Sequence, residues 1–351
     1  MSKKMIAQKP LSNASRNPKI LFMGTSEFAV PALKTVITHE FELIGIVTQP
    51  DRRSGRGKRL TPPPIKIVAE QHNLPVYQPE KVRQRDFIRT LERLAPDVIV
   101  VAAFGQLLPQ SLLDIPPCGT INLHPSLLPK YRGAAPVQWA LINGEMETGI
   151  TLMLLDAGED TGDIICAERI PIQDEDTTVT LMEKLAGIGA NLLVKVLKEI
   201  PAAAPPPATP QRHKEATHAP RLTKQTGCID WHCSATTIHN LVRGTEGWPG
   251  AYAFFRENLR LKILRSLPCS LQLSASCRAG DSPARALELQ DLSSVPPGTI
   301  EIADRQQLLV ATGEGMLQLL QVQPATKKAM DARDFVNGYQ LKTGERFLPP
   351  P

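Results

Sequence analysis

The 351-residue chain is predicted to be an α/β protein: a doubly wound, mostly parallel sheet of Rossmann-like type, followed by a small OB-like β-barrel. Three observations predict this. Up to residue 200, short and nearly continuous apolar runs alternate with helical stretches, the pattern of strands buried on both faces and joined by crossover helices. Residues 201–210, Pro-Ala-Ala-Ala-Pro-Pro-Pro-Ala-Thr-Pro, hold five prolines in ten. Such a segment sustains neither a helix nor a central strand, so it reads as a semi-rigid linker. Beyond it, short strand-like runs are separated by Gly and Pro turn signals, the pattern of a small barrel.

Taken in order, residues 1–18 are polar and basic and lack apolar periodicity, and they read as a disordered extension rather than a secretory signal, with an organelle transit peptide as the alternative. The catalytic-type domain is expected over 19–200. Ile20–Met23 is its first strand, and Gly24 to Phe28 turns into a helix with Thr25 or Ser26 as N-cap. Leu43–Val47, Asp97–Ala103 and Thr120–His124 are further strands, as are Gly149–Leu155 and Ile164–Ile170. Pro64–His72, Arg85–Leu94, Ala135–Ile142 and Thr180–Ile200 read as helices. The linker is set at 201–215, expected to pack against neither neighbour. The barrel is set at 216–351, with strands at Leu259–Leu264, Ala286–Leu289, Thr299–Ile302, Gln307–Ala311 and Met316–Gln323 and one helix over Ser234–Val242. Ser266–Ala284, rich in Ser and Cys, reads as an exposed loop.

Composition narrows the class. Apolar residues make up 42% and charged residues 21%, which excludes a disordered chain. No apolar run reaches the roughly 18–20 residues of a membrane span. Six irregularly spaced Cys point to free thiols in a reducing, cytoplasmic compartment rather than to a disulfide framework. The net charge of +5 is unevenly placed. Residues 1–19 carry five bases and no acid. Residues 51–59, Asp-Arg-Arg-Ser-Gly-Arg-Gly-Lys-Arg, carry five bases and one acid. Residues 211–351 carry 17 bases and 13 acids, so the rest of the first half is acidic, and a polyanion would be drawn to the basic segments.

A dinucleotide site is not expected after the first strand. Gly24-Thr-Ser-Glu-Phe lacks the G-x-G-x-x-G spacing, and Glu27 places a negative charge where a pyrophosphate would sit. The chemistry concentrates in Asn122-Leu-His-Pro-Ser-Leu-Leu-Pro-Lys-Tyr-Arg-Gly-Ala-Ala-Pro136. Asn122 and His124 are two apart in a strand, so both leave one face. An amide that donates to an oxyanion and an imidazole that moves a proton form a plausible catalytic pair. Downstream, Leu155-Asp-Ala-Gly-Glu-Asp-Thr-Gly-Asp163 offers a carboxylate that can reach His124. Alternatives remain open for each motif: hydrogen-bonded turn residues at 122–124, a solvated or metal-binding turn at 156–163, and zinc at Cys228-Ile-Asp-Trp-His-Cys233. No metal is expected.

Asn122-x-His124, Ser126-Leu-Leu-Pro129, Arg132-Gly-Ala-Ala-Pro136 and Asp160-Thr-Gly-Asp163 together resemble the folate-dependent formyltransferase family. The basic insertion at Thr48–Arg59, Ile229-Asp-Trp231 and Pro324–Met330 resemble the members that act on a charged tRNA. The resemblance runs from about Ile20 to Phe347. It implies transfer of a formyl group from N10 of 10-formyltetrahydrofolate to the α-amine of initiator methionyl-tRNA, by a cytoplasmic monomer with no membrane partner. It places catalysis on Asn122, His124 and Asp160, and folate contacts on Ser126, Leu127, Leu128 and Pro129. It places tRNA contacts on Arg52, Arg53, Arg56, Lys58 and Arg59. His218-Ala-Pro-Arg-Leu222 departs from the family pattern. The alternatives are a formyltransferase acting on glycinamide ribonucleotide or a sugar nucleotide, or an RNA-binding module with an inactive enzyme half.

Overall fold

The computed structural model describes residues 17–54, 59–201, 203–256, 259–269, 295–303 and 307–348. The readings made for residues 1–16, Arg56, Lys58 and the strand at 286–289 lie outside the described residues, as does most of the loop expected at 266–284.

The first half runs β1 (Ile20–Gly24), α1 (Val30–Thr38), β2 (Leu43–Val47), β3 (Arg52–Ser54), β4 (Arg59–Thr61), α2 (Pro64–Gln71), β5 (Val76–Tyr77), α3 (Arg85–Leu94), β6 (Val98–Ala102), α4 (Gln110–Leu113), β7 (Thr120–His124), α5 (Pro136–Ile142), β8 (Glu147–Leu154), β9 (Ile164–Pro171) and α6 (Thr178–Glu199). A seven-stranded sheet has the order β5-β2-β1-β6-β7-β8-β9. The pairs β5–β2, β2–β1, β1–β6 and β6–β7 are parallel. The chain therefore moves outward from β1 to β2 and then returns to β6 on the other side, which makes the β1/β6 boundary the topological switch point. All five residues of β1 and all five of β6 are buried, which is why they read as unbroken apolar runs rather than alternating ones.

The predicted helix start after β1 differs in detail. Glu27–Ala29 form a 3₁₀ turn that precedes α1, and the Ser26 side chain makes no cap hydrogen bond. The Thr25 hydroxyl instead donates to the Phe104 carbonyl at 2.8 Å, tying the β1 and β6 ends together.

The second half runs α7 (Ala235–Gly244), β10 (Ala251–Phe255), β11 (Leu259–Cys269), β12 (Ile300–Ala303), β13 (Leu308–Ala311), β14 (Met316–Pro324), β15 (Met330–Asp331), α8 (Ala332–Tyr339) and β16 (Phe347–Leu348). The sheet order is β12-β13-β14-β11-β10-β16, with β15 on β14. Its two ends meet, because Thr299 pairs with Arg346 in an antiparallel bridge. The curled sheet surrounds Trp231, Phe255, Phe335 and Phe347, with Trp231 and Phe347 stacked at 4.9 Å between centroids. α8 is a second helix beside the one expected. It buries Phe335 and Val336, a stripe too short within eight residues to stand out as a helical period.

The chain forms two compact units that are not single stretches of chain. One comprises residues up to His124 with 152–166 and 186–210, and the other 125–151, 167–185 and 211 onward. The proline-rich segment is not the free spacer expected. Thr209 and Ile164 exchange both backbone hydrogen bonds at 2.8 Å, and Pro206 is buried. Proline lacks an N–H, but Thr209 has one, and it is used in pairing.

Candidate active site

The site begins at the end of β7. Thr120, Ile121, Leu123 and His124 are buried and Asn122 is half-buried. Alternation along the strand puts Asn122 and His124 on one face. His124 is 4% exposed, and its Nδ1 lies 3.5 Å from Asp160 Oδ2. The carboxylate expected to reach the imidazole is therefore Asp160.

The loop carrying Asp160 is built by its own residues. Asp156 Oδ1 accepts from the Gly158 N–H at 3.0 Å and from the Thr161 hydroxyl at 2.6 Å, an Asx-type closure. A Cβ on Gly158 would run into Thr161 Oγ1, and one on Gly162 into the Leu154 carbonyl. Only glycine permits so close an approach. Asp160 itself adopts a left-handed φ of 52°, a conformation Asp tolerates better than most residues. The turn thus projects this one acid toward His124, while Asp156 is committed to the turn. Among the described residues, no group of three or more His, Cys, Asp or Glu is placed to hold a metal ion.

The segment after His124 is described by its own contacts. Ser126 is fully buried, and its hydroxyl donates to the Lys130 carbonyl at 2.7 Å. Its backbone carbonyl accepts from the Thr151 hydroxyl at 2.6 Å, and Thr151 Oγ1 in turn receives the Leu128 N–H at 3.2 Å. The Ser126 side chain therefore shapes the loop from within. Leu128 is also buried, and the bond to Pro129 is cis. Leu127 is half-buried and packs on Gly149.

Two residues of that loop carry its long-range anchors. Tyr131 donates its hydroxyl to Glu145 at 2.8 Å and receives the Asn143 amide at 3.1 Å. Burial, partly offset by Asn143 and reinforced by Glu145, pushes its phenol up to about 12. Arg132 is 5% exposed and donates from Nε and Nη2 to Gln211 Oε1 at 3.2 and 2.7 Å, and from Nη2 to His213 Nδ1 at 3.1 Å. Its backbone is bracketed by Thr217 and Ala219. Arg132 was read as part of a motif; Gln211 and His213 carried no sequence signal, because they lie about eighty residues away.

A pocket of about 390 Å³ opens beyond the ends of β1, β2 and β6, lined among others by Thr25, Ser26, Gln49, Arg52, Pro63 and Phe104. This is the switch-point position where open α/β sheets bind ligands. Arg52 begins the basic segment. Arg52, Arg53 and Ser54 pair with Thr61, Leu60 and Arg59 as an antiparallel ribbon. Pairing supplies the backbone partners that an open loop leaves to water. Arg53 and Arg59 are exposed.

A family model described as formyl transferase matches residues 18–197, and one described as the formyl transferase C-terminal domain matches 221–340. The chain belongs to the formyltransferase family. It is 44% identical to a methionyl-tRNA formyltransferase of Thermodesulfovibrio yellowstonii, over 93% of this chain and 97% of that protein. It is 43% identical to a methionyl-tRNA formyltransferase of Thermosynechococcus vestitus, over 95% and 98%. Among solved structures, an N-formyltransferase from Helicobacter canadensis in complex with folinic acid and dTDP-3-aminofucose superposes with a TM-score of 0.60 at 18% identity, covering 86% of this chain and 98% of that one. HypX from Aquifex aeolicus in complex with tetrahydrofolic acid gives a TM-score of 0.58 at 14% identity, covering 94% of this chain and 49% of that one. At these identities the two structures share the fold with this chain. The family resemblance read from Asn122, His124 and Asp160-Thr-Gly-Asp163 therefore holds, as does the α/β sheet followed by a barrel.

Proposed function

We propose that this chain transfers the formyl group of 10-formyltetrahydrofolate to the α-amine of initiator methionyl-tRNA. The observation that carries the reading is the His124–Asp160 pair, with Asn122 two residues back on the same strand. It occurs in a chain alike over 93% of its length to proteins of that activity. The methionyl-tRNA formyltransferase relatives point to the acceptor, and a folate-derived donor is in keeping with the neighbour bound to tetrahydrofolic acid.

The chemistry needs little activation. A free α-amine has a pKa of roughly 7.7–8.0, and esterification to tRNA lowers it, so the neutral nucleophile is abundant near pH 7.5. The amine attacks the formyl carbon, and a carbon–nitrogen bond forms as the carbonyl oxygen becomes an oxyanion. The Asn122 amide and His124 stabilise that charge; one such donor is typically worth about 2.7–4 kcal/mol. Asp160 orients His124, and the pair moves the proton from the incoming amine to folate N10. The carbon–N10 bond then breaks and tetrahydrofolate leaves. We assign the loop Ser126, Leu127, Leu128 and Pro129 to the donor, and Arg52, Arg53, Arg56, Lys58 and Arg59 to the tRNA. We place the barrel on the tRNA and the enzyme in the cytoplasm. Among the described residues no helix is long and apolar enough to cross a membrane.

The test is incubation with 10-formyltetrahydrofolate and charged initiator methionyl-tRNA, scored for formyl-methionine. Formylation of the initiator, and not of elongator methionyl-tRNA, is expected; transfer only to a nucleotide or sugar acceptor would overturn the reading.

A further inference from the structure

Arg52 sits at the root of the basic ribbon and on the wall of the switch-point pocket. Its guanidinium is held rather than free to swing. Nη2 donates to Gln49 Oε1 at 3.1 Å. Gln49 is 9% exposed, and its Nε2 donates to the Phe104 carbonyl at 3.3 Å. A carbonyl only accepts, so the amide must turn its nitrogen to Phe104, and its oxygen is left facing Arg52. The sheet end at β6 thereby sets the direction in which Arg52 is held.

Behind this pair lies a second layer. Gln78 Nε2 donates to the Gln49 backbone carbonyl at 2.9 Å and to Asp51 Oδ1 at 2.7 Å. Lys66 of α2 reaches both Asp51 oxygens, at 3.0 and 2.9 Å. Gln78 and Lys66 together hold the Asp51 carboxyl below its usual range. Three elements, the end of β6, the segment after β5 and α2, thus converge on residues 49–52. The nearest acid in sequence is taken by Lys66, and no described carboxylate forms an ion pair with Arg52. A cation fixed at a pocket rim, without an acidic partner of its own, is preorganised for an external anion.

We propose that Gln49, with Gln78 and Asp51 behind it, is a positioning residue that holds the Arg52 guanidinium at the pocket rim for a terminal phosphodiester of the aminoacyl acceptor. This deepens the tRNA reading above and rests on it. Arg52 supplies the contact, and Gln49 acts only through Arg52. Holding the long side chain in place before binding removes an ordering cost that would otherwise weaken association.

The test is a double-mutant cycle on the full chain, reading KM for charged tRNA, kcat, folate binding and salt dependence. Arg52→Ala is expected to raise the tRNA KM about tenfold and to lower the salt slope by about one phosphate contact, roughly 0.7 for a single strand. Gln49→Leu is expected to raise the same KM several-fold, with folate binding unchanged, and to add nothing in the Arg52→Ala background. If Gln49→Leu loses cooperative melting, Gln78→Leu enters the same cycle with a smaller expected rise. Additive effects, or a fall in kcat with KM unchanged, would overturn the positioning role. A silent Arg52→Ala would instead overturn the assignment of Arg52 to tRNA, so the two failures are distinguishable.

Discussion

The loop over residues 155–163 and the loop over 125–135 both leave the end of a strand, yet they are held by different means. The first closes on itself. Asp156 bonds to residues two and five positions on, and Gly158 and Gly162 allow the backbone to approach that closely. The second borrows partners from far along the chain. Thr151 lies 25 residues from Ser126, Gln211 lies 79 from Arg132, and Thr217 lies 86 from Tyr131. A self-closed loop fixes one side chain, Asp160, through local turn chemistry. A borrowed loop has its shape only after distant segments have folded, so damage to those segments reaches it.

The sharpest way to break the first loop is Gly162→Ala. The added methyl meets the Leu154 carbonyl, so the turn must shift and Asp160 moves away from His124. Overpacking of this kind costs about 1–3 kcal/mol of stability, and displacing the orienting acid is expected to lower kcat by roughly 10²-fold. Circular dichroism melting with steady-state formylation checks both. A fully active Gly162→Ala would show that the turn geometry does not set the Asp160 position.

The second loop is broken from a distance. Arg132→Met removes the buried fork from Gln211 and His213. Stranding such partners costs about 1–3 kcal/mol. Arg132→Lys is expected not to rescue, because one ammonium cannot reproduce the Nε and Nη2 geometry. The measurement is denaturant unfolding of both variants beside folate affinity; wild-type stability in either would detach the Arg132 fork from loop integrity.

A smaller effect sharpens the contrast through pH. Asp176 is 1% exposed. Burial alone would raise its carboxyl, but the Lys184 ammonium, the Gln173 N–H and the Thr180 hydroxyl together hold it below its ordinary value of 3.8. A depressed folded pKa adds stability above 3.8, and that stability is lost as pH falls through the folded value. Asp176→Asn is therefore expected to lower Tm near neutral pH and to flatten its decline below about pH 4, with little change in the 155–163 loop. Thermal melts from pH 3 to 7 read this, and an unchanged acid limb would count against the Asp176 contribution.

The same local-versus-distant distinction explains what the sequence revealed. Leu43–Val47, Arg85–Leu94 and Thr120–His124 match their observed bounds, because each is a continuous apolar run or a clean amphipathic period. Ala251–Phe255 escaped notice, since its register depends on β11 and β16 across the barrel. The β3–β4 ribbon has no apolar alternation to mark it, because its strands carry Arg52, Arg53 and Arg59. At the site, Asn122, His124 and Asp160 were legible as motif residues at strand and turn positions. Gln49, Gln78 and Gln211 were not, because an isolated glutamine has no local signature and its role exists only once distant backbone is in place.

We propose that the imidazole at the end of β7, paired with the acid of the self-closed loop, carries the chemistry. Single-turnover formylation of charged initiator methionyl-tRNA by His124→Ala tests it most directly. The rate is expected to fall by about 10²–10³-fold, with tRNA and folate binding close to wild type. A folded His124→Ala enzyme that formylates at the wild-type rate would contradict the account.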